Sequence, residues 1–179
     1  MKVQLPAVTL PRSEVDSPDG VIVVPGRILP QRDIDIDSAE VAALIQQART
    51  VAANAYAPFS KFHVGAALVM ADDESSKVFS GSNVENSSYG ATNCAERTAI
   101  FGASSAGFRT IRIIALTTID SLDAPLPSRS PCGVCRQVIK EFSNADTLVA
   151  IDTGGDGVLC ELMDVERLLP FGFHFGAKM

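Results

Sequence analysis

Apolar residues recur at helical spacing through Val41, Leu44, Ile45, Ala48, Val51 and Ala52, behind Ser38 as an N-cap, until Ala57-Pro58 ends the pattern. That stretch predicts a first helix. Val64–Met70 and Lys77–Val84 read as two strands around the polar turn Asp72-Asp73-Glu74-Ser75-Ser76, a hairpin or close neighbours in one sheet. A second helix is expected from near Cys94 to Ala106, where Gly107 stops it. Thr110–Thr118 is apolar and β-branched, a buried strand, and a Pro/Ser-rich loop follows from Asp120 to Pro131. A third helix from Cys132 to Phe142, a strand from Thr147 to Asp152 and a short last helix over Val165–Leu169 complete the series. Helices alternating with strands imply an α/β fold, a three-layer sandwich with a mixed central sheet flanked by helices.

The pattern divides the chain into an extension, residues 1–37, and a domain, residues 38–179. Pro6, Pro11, Pro18, Pro25 and Pro30 break the apolar stretches of the extension, and its one strand-like piece is Val21-Ile22-Val23-Val24. An arm docked on the domain or on a partner subunit and a flexible tail both satisfy this composition.

Composition narrows the functional classes. A chain of 179 residues with 46% hydrophobic content suits one compact domain, and no apolar run is long enough to cross a bilayer. The net charge of -6, with no dense basic run, lacks the phosphate neutralisation that drives nucleic-acid affinity. A small, weakly charged substrate is expected instead. The first residues are acidic and proline-broken, unlike a signal or transit peptide, so the cytoplasm is the expected compartment and the cysteines are expected to be reduced.

Candidate chemistry lies in Cys94-Ala95-Glu96 and Pro131-Cys132-Gly133-Val134-Cys135. Three thiolates on zinc leave a fourth position for water, the arrangement of a catalytic rather than a structural site, and Glu96 is placed to handle that water's protons. Both groups fall where a loop enters a helix, so backbone N–H groups and the helix dipole favour thiolate. Three thiolates leave Zn²⁺ with a net charge of -1. Arg97 and Arg136, each next to the site in sequence, are the candidates for offsetting it by hydrogen bonds to sulfur.

Plainer readings compete at several positions. Cys132-Gly133-Val134-Cys135 alone also fits a thioredoxin-like redox pair, but that reading leaves Cys94 and Glu96 without a role. Cys160, in Val158-Leu159-Cys160, suits an inert buried thiol and not a ligand. His63 and His174 lack metal-ligand spacing and read as structural or surface residues. Phe59, Phe62, Phe171, Phe173 and Phe175 could all be core, although a planar base needs apolar faces to lie against.

These motifs together resemble the zinc-dependent cytidine deaminase family. Residues 54–68 (Asn-Ala-Tyr-Ala-Pro-Phe-Ser-Lys-Phe-His-Val-Gly-Ala-Ala-Leu) resemble its first signature and residues 83–90 (Asn-Val-Glu-Asn-Ser-Ser-Tyr-Gly) its second. Thr92-Asn93-Cys94-Ala95-Glu96-Arg97 and Ser130-Pro131-Cys132-Gly133-Val134-Cys135-Arg136-Gln137 resemble its metal motifs, and Leu168-Leu169-Pro170 its C-terminal one. The resemblance runs from Ser38 to Phe173. It implies zinc on Cys94, Cys132 and Cys135, with Glu96 shuttling protons. Three cysteines imply the small homotetrameric branch, in which Asn83 and Glu85 hold the ribose 3′-hydroxyl, Phe62 packs on the pyrimidine and the Ala95 N–H meets O2. Phe173 would then come from a neighbouring subunit, with Tyr89 near an interface. The implied activity is hydrolysis of cytidine and deoxycytidine to the uridine forms with release of ammonia. A blasticidin-S-type or other cytosine-nucleoside-analogue deaminase shares the metal motifs, whereas the ribose motif Asn83-Val84-Glu85-Asn86 favours cytidine. The extension before Ser38 and the ending Phe171-Gly172-Phe173-His174-Phe175-Gly176 depart from the family's usual pattern.

Overall fold

A computed structural model describes residues 1–155 and 160–174. The chain separates into two compact units, Met1–Ile36 and Asp37–Met179.

The first unit is more regular than the prolines suggest. It contains six strands, β1 (Lys2–Leu5), β2 (Val8–Leu10), β3 (Ser13–Ser17), β4 (Gly20–Val24), β5 (Arg27–Leu29) and β6 (Arg32–Asp35). They pair antiparallel as β1 with β6, β2 with β5 and β3 with β4, a nested ribbon folding back at Pro18-Asp19. The expectation of a single strand at Val21–Val24 is therefore corrected. Prolines 6, 11, 25 and 30 fall between the paired segments, where no ladder hydrogen bond is required, so they divide the ribbon without melting it.

The second unit opens with helix α1 (Ser38–Ala52), whose N-cap is Asp37 and not Ser38. The Asp37 carboxylate accepts from Ala39 N at 2.9 Å and Glu40 N at 3.4 Å, satisfying donors that a helix start leaves bare. Strands β7 (Val64–Met70) and β8 (Val78–Ser82) form the expected hairpin. Helix α2 (Ala95–Ser105), strand β9 (Ile111–Thr118), a one-turn helix α3 (Leu126–Arg129), helix α4 (Gly133–Glu141) and strand β10 (Leu148–Asp152) follow. Strand β11 (Cys160–Asp164), absent from the sequence reading, pairs with β10 before the short α5 (Val165–Leu168).

The sheet order is β11-β10-β9-β7-β8, with β9 and β10 parallel and the other neighbours antiparallel, so the mixed sheet expected from the sequence is present. Strand alternation sends Ala66, Leu68, Met70, Ile114, Leu116, Val149 and Ile151 into one core with α2, α4 and α5. Two glycines fix how closely the helices approach. A Cβ on Gly65 would lie 2.0 Å from Ala48 O of α1, and one on Gly81 would lie 2.6 Å from Ala99 N of α2. Gly65 and Gly81 thus mark opposite faces of the sheet, α1 on one and α2 on the other.

Candidate active site

Two helix N-termini meet at the site. Cys94 is the N-cap of α2 and Cys132 the N-cap of α4, both in extended backbone, while Cys135 lies in the first turn of α4 and is buried. Their three sulfurs all lie within 4.8 Å of one another. First-turn N–H groups of both helices have no intrahelical acceptor and favour negative charge at this point.

The sulfur electrostatics follow. The Cys94 thiol is pulled down to about 5 by a hydrogen bond from Cys135 and by the Arg97 guanidinium, which together outweigh its burial. Cys135 is pushed up, because its thiol donates to Cys94 and it is surrounded by Glu96 and the other sulfurs. Arg97 Nη2 stands 3.6 Å from Cys94 Sγ and 2.9 Å from Thr92 O, the sulfur contact expected from the sequence. Arg136 is used otherwise. Its Nε donates to Pro131 O at 2.8 Å, Nη1 to Leu168 O at 3.1 Å and Nη2 to Ser130 Oγ at 2.8 Å, so it braces the loop before Cys132 and not a thiolate. The correction has a steric cause: Arg136 is the residue after Cys135 on α4, and a 100° step turns it away from the cluster.

Soft thiolates suit zinc. Three sulfurs within 4.8 Å of one another are close enough to share one such ion, so Cys94, Cys132 and Cys135 are the residues that would hold it. Cys160 stands outside it, half-buried on β11, with its thiol pushed up by burial. Its neighbours Val158 and Leu159 lie outside the described residues, as does Phe175.

Glu96 is only 5% exposed, two residues into the same helix start. Burial above all, with the Cys94 thiolate adding to it, pushes its carboxyl up to about 7. A carboxyl poised there can both take and return a proton near neutral pH.

The cleft in front of these groups has a volume of about 360 Å³. Cys94, Glu96 and Cys132 line it, together with Phe62, Asn83 and Glu85. Asn83 is nearly buried: its Oδ1 accepts from Val64 N at 2.9 Å and its Nδ2 donates to Phe62 O at 2.8 Å. The amide therefore fixes the segment that carries Phe62 and keeps one N–H and one lone pair for another partner. Glu85 accepts from Phe59 N at 2.8 Å and from Ser60 N at 3.2 Å. Ser60 foremost, with the Phe59 N–H, holds its carboxyl below the usual carboxylate range.

Other expected residues lie elsewhere. Ala95, fully buried, is the first residue of α2. Phe173 does not line this chain's cleft. Its side chain is 68% exposed, while its backbone N and O pair with the Gln137 amide at 3.0 Å each. Tyr89, also exposed, meets Phe59 edge to face at 6.2 Å between centroids. His63 Nδ1 lies 2.9 Å from Asp120, and His174 is exposed. Thr118, Ser128 and Arg129 also line the cleft and were missed. None carries a local signal, because β9 and the loop after it reach the site only through the sheet order.

Three cysteine sulfurs and a buried acid beside one cleft, set on a mixed sheet between helices, define a metal-dependent hydrolase. Residues 38–151 match the family described as the cytidine and deoxycytidylate deaminase zinc-binding region, and the chain belongs to that family. It is 44% identical over 131 residues to a cytidine deaminase of Halalkalibacterium halodurans, covering 73% of this chain and 91% of that one. The crystal structure of a cytidine deaminase from Burkholderia pseudomallei superimposes with a TM-score of 0.62 at 42% identity, over 73% of this chain and 97% of that one. A blasticidin-S deaminase of Bacillus cereus is more distant, 32% identical over 117 residues, 64% of this chain and 79% of that one.

Proposed function

We propose that this protein deaminates cytidine and deoxycytidine hydrolytically, yielding uridine or deoxyuridine and ammonia. The observation that carries the reading is the Cys94, Cys132 and Cys135 sulfur cluster and the buried Glu96 at a cleft lined by Cys94, Glu96, Cys132, Asn83 and Glu85. When bound by the three thiolates, zinc supplies a water acidified enough to act as a nucleophile. Glu96 takes the proton from that nucleophile and delivers it to N3 of the cytosine, which makes C4 electrophilic. The hydroxide so formed adds to C4, and the same carboxyl then takes the remaining proton from the new C4–OH and passes it to the amino group, which leaves as ammonia as C4–N breaks and C4–O becomes the carbonyl. Arg97 keeps the Cys94 sulfur from concentrating its full charge on the metal.

The remaining roles place the nucleoside. The Ala95 N–H, at the positive end of α2, suits the base's O2. Phe62 offers its ring to the pyrimidine. A carboxylate and a half-satisfied amide together, Glu85 and Asn83, suit a sugar hydroxyl that both donates and accepts. This pair favours a ribosylated base over blasticidin S.

The working form is a homotetramer in the cytoplasm, with Phe173 completing a neighbouring subunit's cleft. Its exposure, its backbone tether to Gln137 and its place outside the lining of this chain's own cleft support this. No helix among the described residues is long and apolar enough to cross a membrane.

The test is loss of cytosine absorbance on incubation of purified protein with cytidine, deoxycytidine and blasticidin S, alongside metal analysis. One zinc per chain and turnover of the two nucleosides are expected. Turnover of blasticidin S alone would replace the nucleoside reading.

A further inference from the structure

The loop between β9 and α4 is anchored by an arginine. From Ser121 to Ser130 the apolar members, Leu122 and Leu126, are half-exposed, and the single buried side chain is Arg129. Each guanidinium nitrogen is engaged by a different segment. Nε donates to Ala124 O at 2.6 Å, Nη1 to Asp152 O at 2.7 Å and Nη2 to the Glu161 carboxylate at 2.8 Å. The loop is thus fastened to the ends of β10 and β11 by hydrogen bonds and charge, beside Leu126, which packs partly buried against the core. A second arginine, Arg136, braces the same loop from α4 through Pro131 O and Ser130 Oγ.

Two functional parts hang from this anchor. Ser128, Arg129 and Ser130 form a wall of the cleft, and Cys132 follows three residues after Arg129. Of the three sulfur-bearing residues, Cys132 is the exposed one, while Cys94 is half-buried and Cys135 buried. Packing therefore holds Cys94 and Cys135, whereas the position of Cys132 depends on how its loop is tied.

We infer that Arg129, with Glu161 as its counter-charge, is a positioning residue that sets both the third metal ligand and the cleft wall. The inference rests on the zinc and nucleoside reading above. It also follows that the cleft gains no free cation from Arg129, because its charge is already matched by Glu161 at 2.8 Å. Removing the guanidinium leaves the Asp152 and Ala124 carbonyls and the Glu161 carboxylate without this donor, and takes from the loop the bonds of its one buried side chain.

The experiment compares wild type, Arg129→Met, Arg129→Lys and Glu161→Gln, each full-length and zinc-loaded. Zinc affinity is read by chelator competition, and KM and kcat are measured on cytidine. Arg129→Met is expected to lose zinc affinity about tenfold or more, the usual cost of removing an outer-shell partner. Its KM should rise more than kcat per bound zinc falls. Arg129→Lys should recover part of both losses by keeping the charge opposite Glu161. If Arg129→Met does not fold, Glu161→Gln, altered at a partly exposed position, should still weaken zinc binding measurably. Wild-type zinc affinity and KM in folded Arg129→Met, or in Glu161→Gln should that be the variant available, would overturn the inference and reduce Arg129 to a stability residue. A wild-type protein that neither binds zinc nor turns over cytidine would instead overturn the function proposed above.

Discussion

Arg49 of α1 grips Asp152 at the end of β10 with two parallel bonds of 2.7 Å, Nε to Oδ2 and Nη2 to Oδ1. The Asp152 carboxylate is fully buried and also accepts from Thr117 Oγ1 at 2.7 Å and Gly154 N at 2.9 Å. It thereby joins α1, β9 and β10 behind the strand ends that form the cleft. Burial alone would raise this carboxyl. The Arg49 fork, the Thr117 hydroxyl and the Gly154 N–H outweigh burial and hold it below the ordinary value of 3.8.

A lowered folded-state pKa stabilises the protein fully above the unfolded value, and that stability is lost as pH falls through the folded value. Asp152→Asn should therefore cost about 3 kcal/mol or more at pH 7, the scale for breaking a buried pair. The gap between wild type and variant should stay constant at neutral pH and narrow only below the ordinary carboxylate range. Urea unfolding midpoints at several pH values check this, and a gap that widened in acid would contradict it.

Glu96→Gln removes the proposed proton carrier but leaves the sulfur cluster intact. Zinc content and fold should be unchanged, and deamination should fall about a thousandfold or more. Metal analysis and single-turnover absorbance measure the two halves separately.

Asn83→Ala and Glu85→Ala should raise KM for cytidine. Asn83→Ala should also lower kcat, because its amide holds Val64 N and Phe62 O and so the ring proposed to pack on the base. Glu85→Ala should leave kcat closer to wild type. Equal kcat losses in the two variants would mean that Asn83 has no positioning role.

Phe173→Ala should weaken cytidine binding roughly tenfold, the scale of one aromatic contact, without changing zinc content. Because the ring would act in a neighbour's cleft, tetramers mixed from Phe173→Ala and Glu96→Gln subunits should contain some sites with both an intact Glu96 and an intact Phe173. Subunit exchange followed by kinetics should reveal high-affinity turnover that neither variant shows alone. A monomer by light scattering, active with normal KM, would remove this role.

Spacing along the chain was enough to find four of the five α-helices, one-turn α3 lying in what read as a Pro/Ser-rich loop, four of the five strands of the mixed sheet, the three cysteines and Glu96. The reason is local: a helix N-terminus makes its own thiolate-stabilising field, and two such starts can be read from Cys94-Ala95-Glu96 and Cys132-Gly133-Val134-Cys135 without knowing what lies between them. The first 36 residues resisted the same reading, since a ribbon of three- to five-residue strands separated by prolines has too short a period to distinguish it from coil. Strand β11 was missed for a related reason. Cys160–Asp164 is an edge strand with mixed polarity, and pairing with β10, not side-chain pattern, makes it a strand.

The different uses of the arginines were decided only by tertiary structure. Adjacency in sequence suggested Arg97 and Arg136 alike as partners for the sulfurs, yet helix geometry brings Arg97 to Cys94 and carries Arg136 back to Pro131, Leu168 and Ser130. Arg129 drew no notice, because its partners at Asp152 and Glu161 are 23 and 32 residues away and meet it only once β10 and β11 are paired. Sequence determines which groups have the chemistry to bind a metal and move a proton. Which charged side chains hold those groups in place depends on long-range strand order, and no local period encodes it.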